Sequence, residues 1–223
     1  AVGSALFLFF FVGFTEAAKA KKCLTEPEVA LIFDDSGSMA RTDPHAIRAE
    51  ALRLFLEKPS AQQMRVGAVE FGSYGGTLFR PGIVASERER MIASLGKLNN
   101  EGFDGRPGSG TSYSSAFRAS KRTQPNADAR IFLTDGLNGD RRLPARLFKG
   151  APVFVIGLNI GRARKGTPQA KQLSRIAKTT GGRYYPLKKK RKFGSQKQPP
   201  LLQPVVNRIA SRLGCGKIPK TIR

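Results

Sequence analysis

Apolar residues follow two rhythms along this chain. Short, nearly continuous apolar runs, each cut off by glycine or polar residues, alternate with longer stretches in which apolar positions recur every three or four residues. The first rhythm predicts strands buried on both faces, the second amphipathic helices. Glu28 to Phe33 (EVALIF), Arg65 to Phe71 (RVGAVEF), Ala129 to Leu133 (ARIFL) and the run APVFVIGLNI, 151–160, predict buried strands. Gly76 to Arg80 (GTLFR) predicts a short strand after a glycine turn, and Gly182 to Leu187 (GRYYPL) a short last one. Between them, His45 to Lys58 carries Ile47, Ala51, Leu52, Phe55 and Leu56 at helical spacing. Asp43 as N-cap and Pro44 as first helical residue mark its start, and Pro59 its stop. A second helix, SERERMIASLGKL, opens at Ser86 with a capping-box pattern to Glu89. Others are expected near Tyr113 to Arg122, near Pro144 to Phe148 (short), from Gln169 to Thr180, closed by Gly181 and Gly182, and from Leu201 to Leu213.

Strands separated by helices predict an α/β fold: a doubly wound, mostly parallel central sheet with helices on both faces. The hairpin-like spacing after Phe71 makes Gly76 to Arg80 an antiparallel edge strand. There is no internal repeat, and only KKKRKFGSQKQPP, 188–200, is biased enough to predict a mobile loop.

Charge and termini change the picture next. The chain has 223 residues, enough for one sizeable domain, and 40% hydrophobic content, too much for a disordered chain. Lys and Arg number 39 against 16 Asp and Glu, a net charge of +23. Such an excess favours polyanionic partners: nucleic acid, an acidic glycan or wall polymer, an anionic membrane, or an acidic protein face. Ala5 to Phe14 has the length and apolarity of a signal-peptide core, and Ala17, Ala18 or Ala20 supplies small residues for cleavage. Residues 1–20 are therefore expected to be an N-terminally incomplete signal peptide, with an uncleaved anchor as the alternative. Either sends the chain across a membrane, to a secreted or cell-surface location. In that context the even pair Cys23 and Cys215 reads first as a disulfide, with two unrelated thiols as the alternative. Such a bridge closes nearly the whole domain, 23–215, for which chain entropy sets an upper figure of ~5 kcal/mol. Residues 216–223 form a short basic tail.

Candidate chemistry lies at the strand ends. In an open parallel sheet, ligands bind outside the carboxyl ends of the strands. The first strand runs into Asp34-Asp35-Ser36-Gly37-Ser38, a later one ends in Thr134-Asp135-Gly136, and the loop before the third helix ends in Gly110-Thr111. Asp34 and Ser36 could simply cap the next helix. Taken together, though, the set holds only hard oxygen ligands, which suit Mg²⁺, Mn²⁺ or Ca²⁺ and not zinc or copper. Gly37 permits a tight turn that brings alternate side chains to one side.

Three pieces, DDSGSM, GSGTS and FLTDG, in that order on strand–helix units, resemble the von Willebrand factor type A (VWA) domain and its metal-ion-dependent adhesion site. The resemblance runs from about Cys23 to Cys215 and takes in VFVIGLNI and LSRIAKTTGGRYYPL. It implies that Asp34, Ser36 and Ser38 form the first metal-binding segment. It implies that Thr111 ligates directly in the ligand-bound form, and that Asp135 acts directly or through water. The cysteines resemble the terminal disulfide of extracellular members. Ser112 stands where many relatives carry an acidic residue. Asp35, Glu70 and Asp140 read as solvated charges, and His45, the only histidine, as a surface or capping residue.

Arg41, Arg141, Arg142, Arg162, Arg164 and Lys165 follow strands on the side of the expected metal, and Lys188 to Lys192 join them if the last strand is parallel. This predicts a cationic rim that steers an anionic ligand and weakens with salt. The reading is a divalent-cation-dependent adhesion module, with Mg²⁺ first and Mn²⁺ or Ca²⁺ as alternatives. Its partner is a protein or anionic polymer that completes the coordination. Nucleic acid is possible but not favoured, because no basic-plus-aromatic motif accompanies the charge. A metal-assisted hydrolase is less favoured still. No P-loop, dinucleotide fingerprint or G-x-S-x-G elbow is present, and a lone histidine beside Ser36 and Ser38 makes a poor triad. No catalytic residue is assigned.

Overall fold

The computed structural model describes residues 26–44, 46–106, 109–158, 166–187 and 203–213. Its elements follow in the order β1 Glu28–Asp34, α1 Met39–Thr42, α2 Ile47–Leu56, β2 Arg65–Phe71, β3 Gly75–Ile83, α3 Val84–Leu95, α4 Tyr113–Thr123, β4 Ala129–Thr134, β5 Val153–Gly157, α5 Pro168–Thr179, β6 Tyr184–Pro186 and α6 Gln203–Leu213. Short 3₁₀ turns cover Pro59–Ala61 and Ala145–Leu147.

One six-stranded sheet runs β3-β2-β1-β4-β5-β6. Every pairing is parallel except β2 with β3, as expected. The edge strand β3 is longer than GTLFR suggested, and its register to β2 shifts around Ala68. Alternation along the strands splits the core in two. Val29, Leu31, Phe33, Ile131, Leu133 and Ile156 face α2, α3 and α6. Ile32, Val69, Phe71, Phe132, Val153 and Val155 face α4 and α5. On the second face, Phe132 stacks on Phe71 at 5.6 Å and meets Tyr113 edge-on at 4.9 Å. Truncating so buried a phenylalanine costs about 3–5 kcal/mol. The consequence for function is positional: β1, β2, β4 and β5 all deliver their following loops to one edge.

Helix starts depart from expectation. The second helix begins at Ile47, not His45, after Ala46 in the left-handed region (φ 46°). Asp43 caps it from further back, its carboxylate accepting from the Ile47 and Arg48 N–H groups at 2.7 and 3.1 Å. A single helical turn, α1, for which no element was expected, precedes it. Ser86 does not form a capping box. It lies inside α3, and its hydroxyl donates to the Ile83 carbonyl. The expectations for residues 1–20, His45, Cys23, Cys215, 188–200 and 216–223 fall outside the described residues. No helix among the described residues is long and apolar enough to cross a membrane.

Candidate metal centre

Strand β1 ends on Asp34 at the carboxyl edge, between β2 and β4. The next residues turn so that Ser36 folds back onto it. The Asp34 Oδ1 accepts from the Ser36 N–H at 3.1 Å and from the Ser36 hydroxyl at 2.6 Å. Ser36 Oγ lies 3.1 Å from Ser38 Oγ, so Asp34, Ser36 and Ser38 form one line of oxygens. Asp34 Oδ2 accepts from the Thr134 hydroxyl at 2.6 Å, which ties β1 to the end of β4. Tyr113, at the start of α4, shares that threonine at 3.0 Å.

The residue after Thr134 is Asp135. Its Oδ1 accepts from the Leu137 N–H and its Oδ2 from the Thr42 hydroxyl, both at 3.1 Å. Thr42 and Thr134 orient the two carboxylates, and neither stood out in the sequence as a site residue. Thr42 lies on the unexpected turn α1, and Thr134 could have been noticed only as the neighbour of Asp135. The loop carrying Thr111 is pinned by backbone bonds on both sides. The Gly37 N–H donates to the Ser109 carbonyl at 2.9 Å, and the Gly139 N–H to the Thr111 carbonyl at 2.7 Å. Helix α4 is capped by Ser112, whose hydroxyl accepts from the Ser115 N–H. The oxygens of Asp34, Ser36 and Ser38 are thus in direct contact, and Asp135 and the Thr111 backbone are bonded into the same strand-end cluster.

Asp34 is fully buried, and burial is the main reason its carboxyl is raised from an ordinary 3.8 to about 7, with the nearby Asp135 charge adding to the rise. Hydrogen bonds from Ser36 and Thr134 only partly offset this. Burial also pushes the Tyr113 phenol up, helped by Asp34. Asp34 and Asp135 bring two like charges beside hydroxyls at one strand-end site, where they repel one another. A hard dication offsets that repulsion and fits that donor set. Among the described residues no group of three or more His, Cys, Asp or Glu side chains gathers at one point. An ion here would depend on hydroxyls and keep positions for water or for a partner's oxygen.

Asp35 and Glu70, read as solvated charges, are buried, and Asp140 is half-buried. Asp35 is fully buried. It takes Arg48 Nη2 at 2.5 Å and the N–H groups of Asn100 and Gly102 at 3.0 and 3.2 Å. Arg48, itself fully buried, reaches Asp43 at 3.0 Å and Asn100 Oδ1 at 2.8 Å. This network locks α2 and the 99–102 loop against β1. Glu70 is buried too, and desolvation with the Asp35 charge raises it to about 7. Asp140 accepts from the Ser112 hydroxyl and the Ser114 N–H, supporting the start of α4. Of the expected rim, Arg41, Arg141 and Arg142 are exposed in segments that follow β1 and β4. Arg162, Arg164 and Lys165 lie outside the described residues.

The family model of the von Willebrand factor type A domain matches residues 28–198, most of the chain. The chain belongs to that family. This VWA domain has many structural counterparts of low sequence identity. One is BatB from Bacteroides thetaiotaomicron, at 18% identity and TM-score 0.60, covering 83% of this chain and 99% of that one. A second is proximal thread matrix protein 1 from the mussel byssus with a zinc-occupied MIDAS motif, at 14%, TM-score 0.60, covering 86% and 49%. A third is the manganese-loaded TRAP protein of Plasmodium vivax, at 19%, TM-score 0.53, covering 75% and 70%. At such identities the likeness shows the fold. No curated protein sequence matches the chain.

Proposed function

We propose that this VWA domain is a divalent-cation-dependent binding module for an acidic ligand, either a protein carboxylate or an anionic polymer. The observation that carries the proposal is the cluster of Asp34, Ser36, Ser38 and Asp135. It pairs two carboxylates with hydroxyls at the carboxyl edge of the sheet. Mg²⁺, with Mn²⁺ or Ca²⁺ as alternatives, would be held by these four residues, with Thr111 contributing from the loop before α4. When bound, the ion supplies a centre that accepts one oxygen from the partner. The protein's own residues do the rest. Ser36 and Thr134 aim the Asp34 oxygens, Thr42 and the Leu137 N–H fix those of Asp135, and Arg41, Arg141 and Arg142 raise the local concentration of anions.

Under this proposal the chain is non-enzymatic and works at the cell surface or outside the cell, with Cys23 and Cys215 bridged. A protein and glycan binding screen tests it. Run with Mg²⁺ and again with chelator, at two salt concentrations, it should return acidic ligands that are lost with chelator and with Asp34→Ala or Asp135→Ala. Ligand binding that survives both changes would overturn it. Nucleic-acid binding insensitive to chelator would favour a backbone-charge mode instead.

A further inference from the structure

Beyond Asp135 the strand-end loop opens onto two adjoining cavities of about 490 and 460 Å³. The first is bordered by Gly136, Leu137 and the first turns of α5, the second by Arg141 and Arg142, and both share Gln172 and Arg175. They form a path that starts one residue from the candidate metal ligand Asp135 and runs along α5. Its charge is one-sided. Arg141, Arg142, Lys171 and Arg175 are exposed, and none makes an ion pair among the described residues. The single acid on the path, Asp140, is occupied by Ser112 and Ser114. The path also meets the N-terminal end of α5, whose dipole is positive.

Apolar exposure points the same way. The large hydrophobic residues exposed among the described residues are Tyr74, Phe103 and Leu137. Leu137, which follows β4, borders the path itself, whereas Tyr74 and Phe103 lie toward the β2–β3 side of the sheet. An exposed leucine beside arginines and a lysine gives the path an apolar contact as well as charge. A bare polyanion has no use for the exposed Leu137 on this path.

We propose that the groove lined by Leu137, Arg141, Arg142, Lys171 and Arg175 receives an acidic polypeptide segment that runs outward from the metal site. This deepens the function proposed above and rests on it for the metal end alone. Guanidinium groups match carboxylates two oxygens at a time, and the exposed Leu137 offers a contact for an apolar side chain of the segment.

The test uses a fluorescein-labelled peptide of Asp, Glu and Leu, with a matched peptide of Asn, Gln and Leu and a sulfated polysaccharide for comparison. Fluorescence anisotropy in Mg²⁺ should show the acidic peptide bound and the neutral one not. Lys171→Glu with Arg175→Glu should weaken the acidic peptide by about tenfold or more. Mg²⁺ uptake by calorimetry and the thermal midpoint of that variant should stay as in the unaltered chain. The milder Lys171→Gln with Arg175→Gln should fall in between. Unchanged peptide affinity in a folded, Mg²⁺-binding charge-reversed variant would overturn the groove. So would preference for the polysaccharide over the peptide. Loss of peptide binding in that variant, in a protein that never takes up Mg²⁺, would support the groove and sink the metal reading instead.

Discussion

Replacing Arg48 with methionine tests whether the buried charge network holds the site's loops in place. Arg48 and Asp35 are fully buried and Asp43 is 3% exposed. Methionine keeps most of the volume but strands two buried carboxylates, a change that costs about 3–5 kcal/mol. The lower half of that range is expected here. Asp35 keeps the Asn100 and Gly102 N–H groups, and Asp43 keeps those of Ile47 and residue 48. Arg53 provides the control. It pairs with Glu50 and Glu57, but all three side chains are 38–39% exposed. Arg53→Met should therefore cost about 0.2–1 kcal/mol. Urea unfolding at neutral pH, followed by circular dichroism, separates the two, since a domain's whole stability is only about 5–15 kcal/mol. Adding Asp35→Asn to Arg48→Met removes one stranded charge and should recover about 1–2 kcal/mol. An Arg48→Met loss no larger than that of Arg53→Met would refute the reasoning, because the network would then be worth no more than a surface pair.

Two other expectations concern the metal-free fold. Asp34 is raised from 3.8 to about 7, so between those values the native state holds a proton that the unfolded chain has released. Its stabilising contribution is fully present below the lower value and is lost as pH rises through the upper one. Asp34→Asn should remove that slope and leave the metal-free variant more stable at pH ~8 by on the order of 4 kcal/mol. Parallel stability curves for the two proteins between pH 5 and 8 would refute this. Gly182→Ala should destabilise by about 1–3 kcal/mol, because the new carbon would lie 2.0 Å from the Val153 carbonyl oxygen; thermal unfolding checks it.

Strands were the most legible part of this chain. Val29 to Phe33 and Ala129 to Leu133 are covered on both faces, and burial on both faces writes itself as an unbroken apolar run. The three strand-end segments were legible because polar residues that interrupt such runs have few other reasons to be there. Asp35 was misread because nothing local announces its partner. Arg48 lies 13 residues away on a helix, among other charged residues, and only the packed fold shows that it points inward. Glu70 was misread for a different reason: its charge outweighed its place on the same strand face as Val66 and Ala68, a face that the fold buries. Helix starts failed where capping reaches across several residues. Asp43 serves the Ile47 N–H from four positions back, a distance at which spacing rules lose their grip.

Titration of purified protein with Mg²⁺ and Mn²⁺ by calorimetry, at pH 6 and pH 8, is the most direct measurement. One ion per chain should bind, more weakly at the lower pH, where uptake must displace the Asp34 proton and release it to the buffer. Asp34→Ala and Asp135→Ala should each abolish the uptake while the fold survives. No heat with either ion, or uptake that both variants retain, would contradict the assignment of this strand-end cluster as the metal centre.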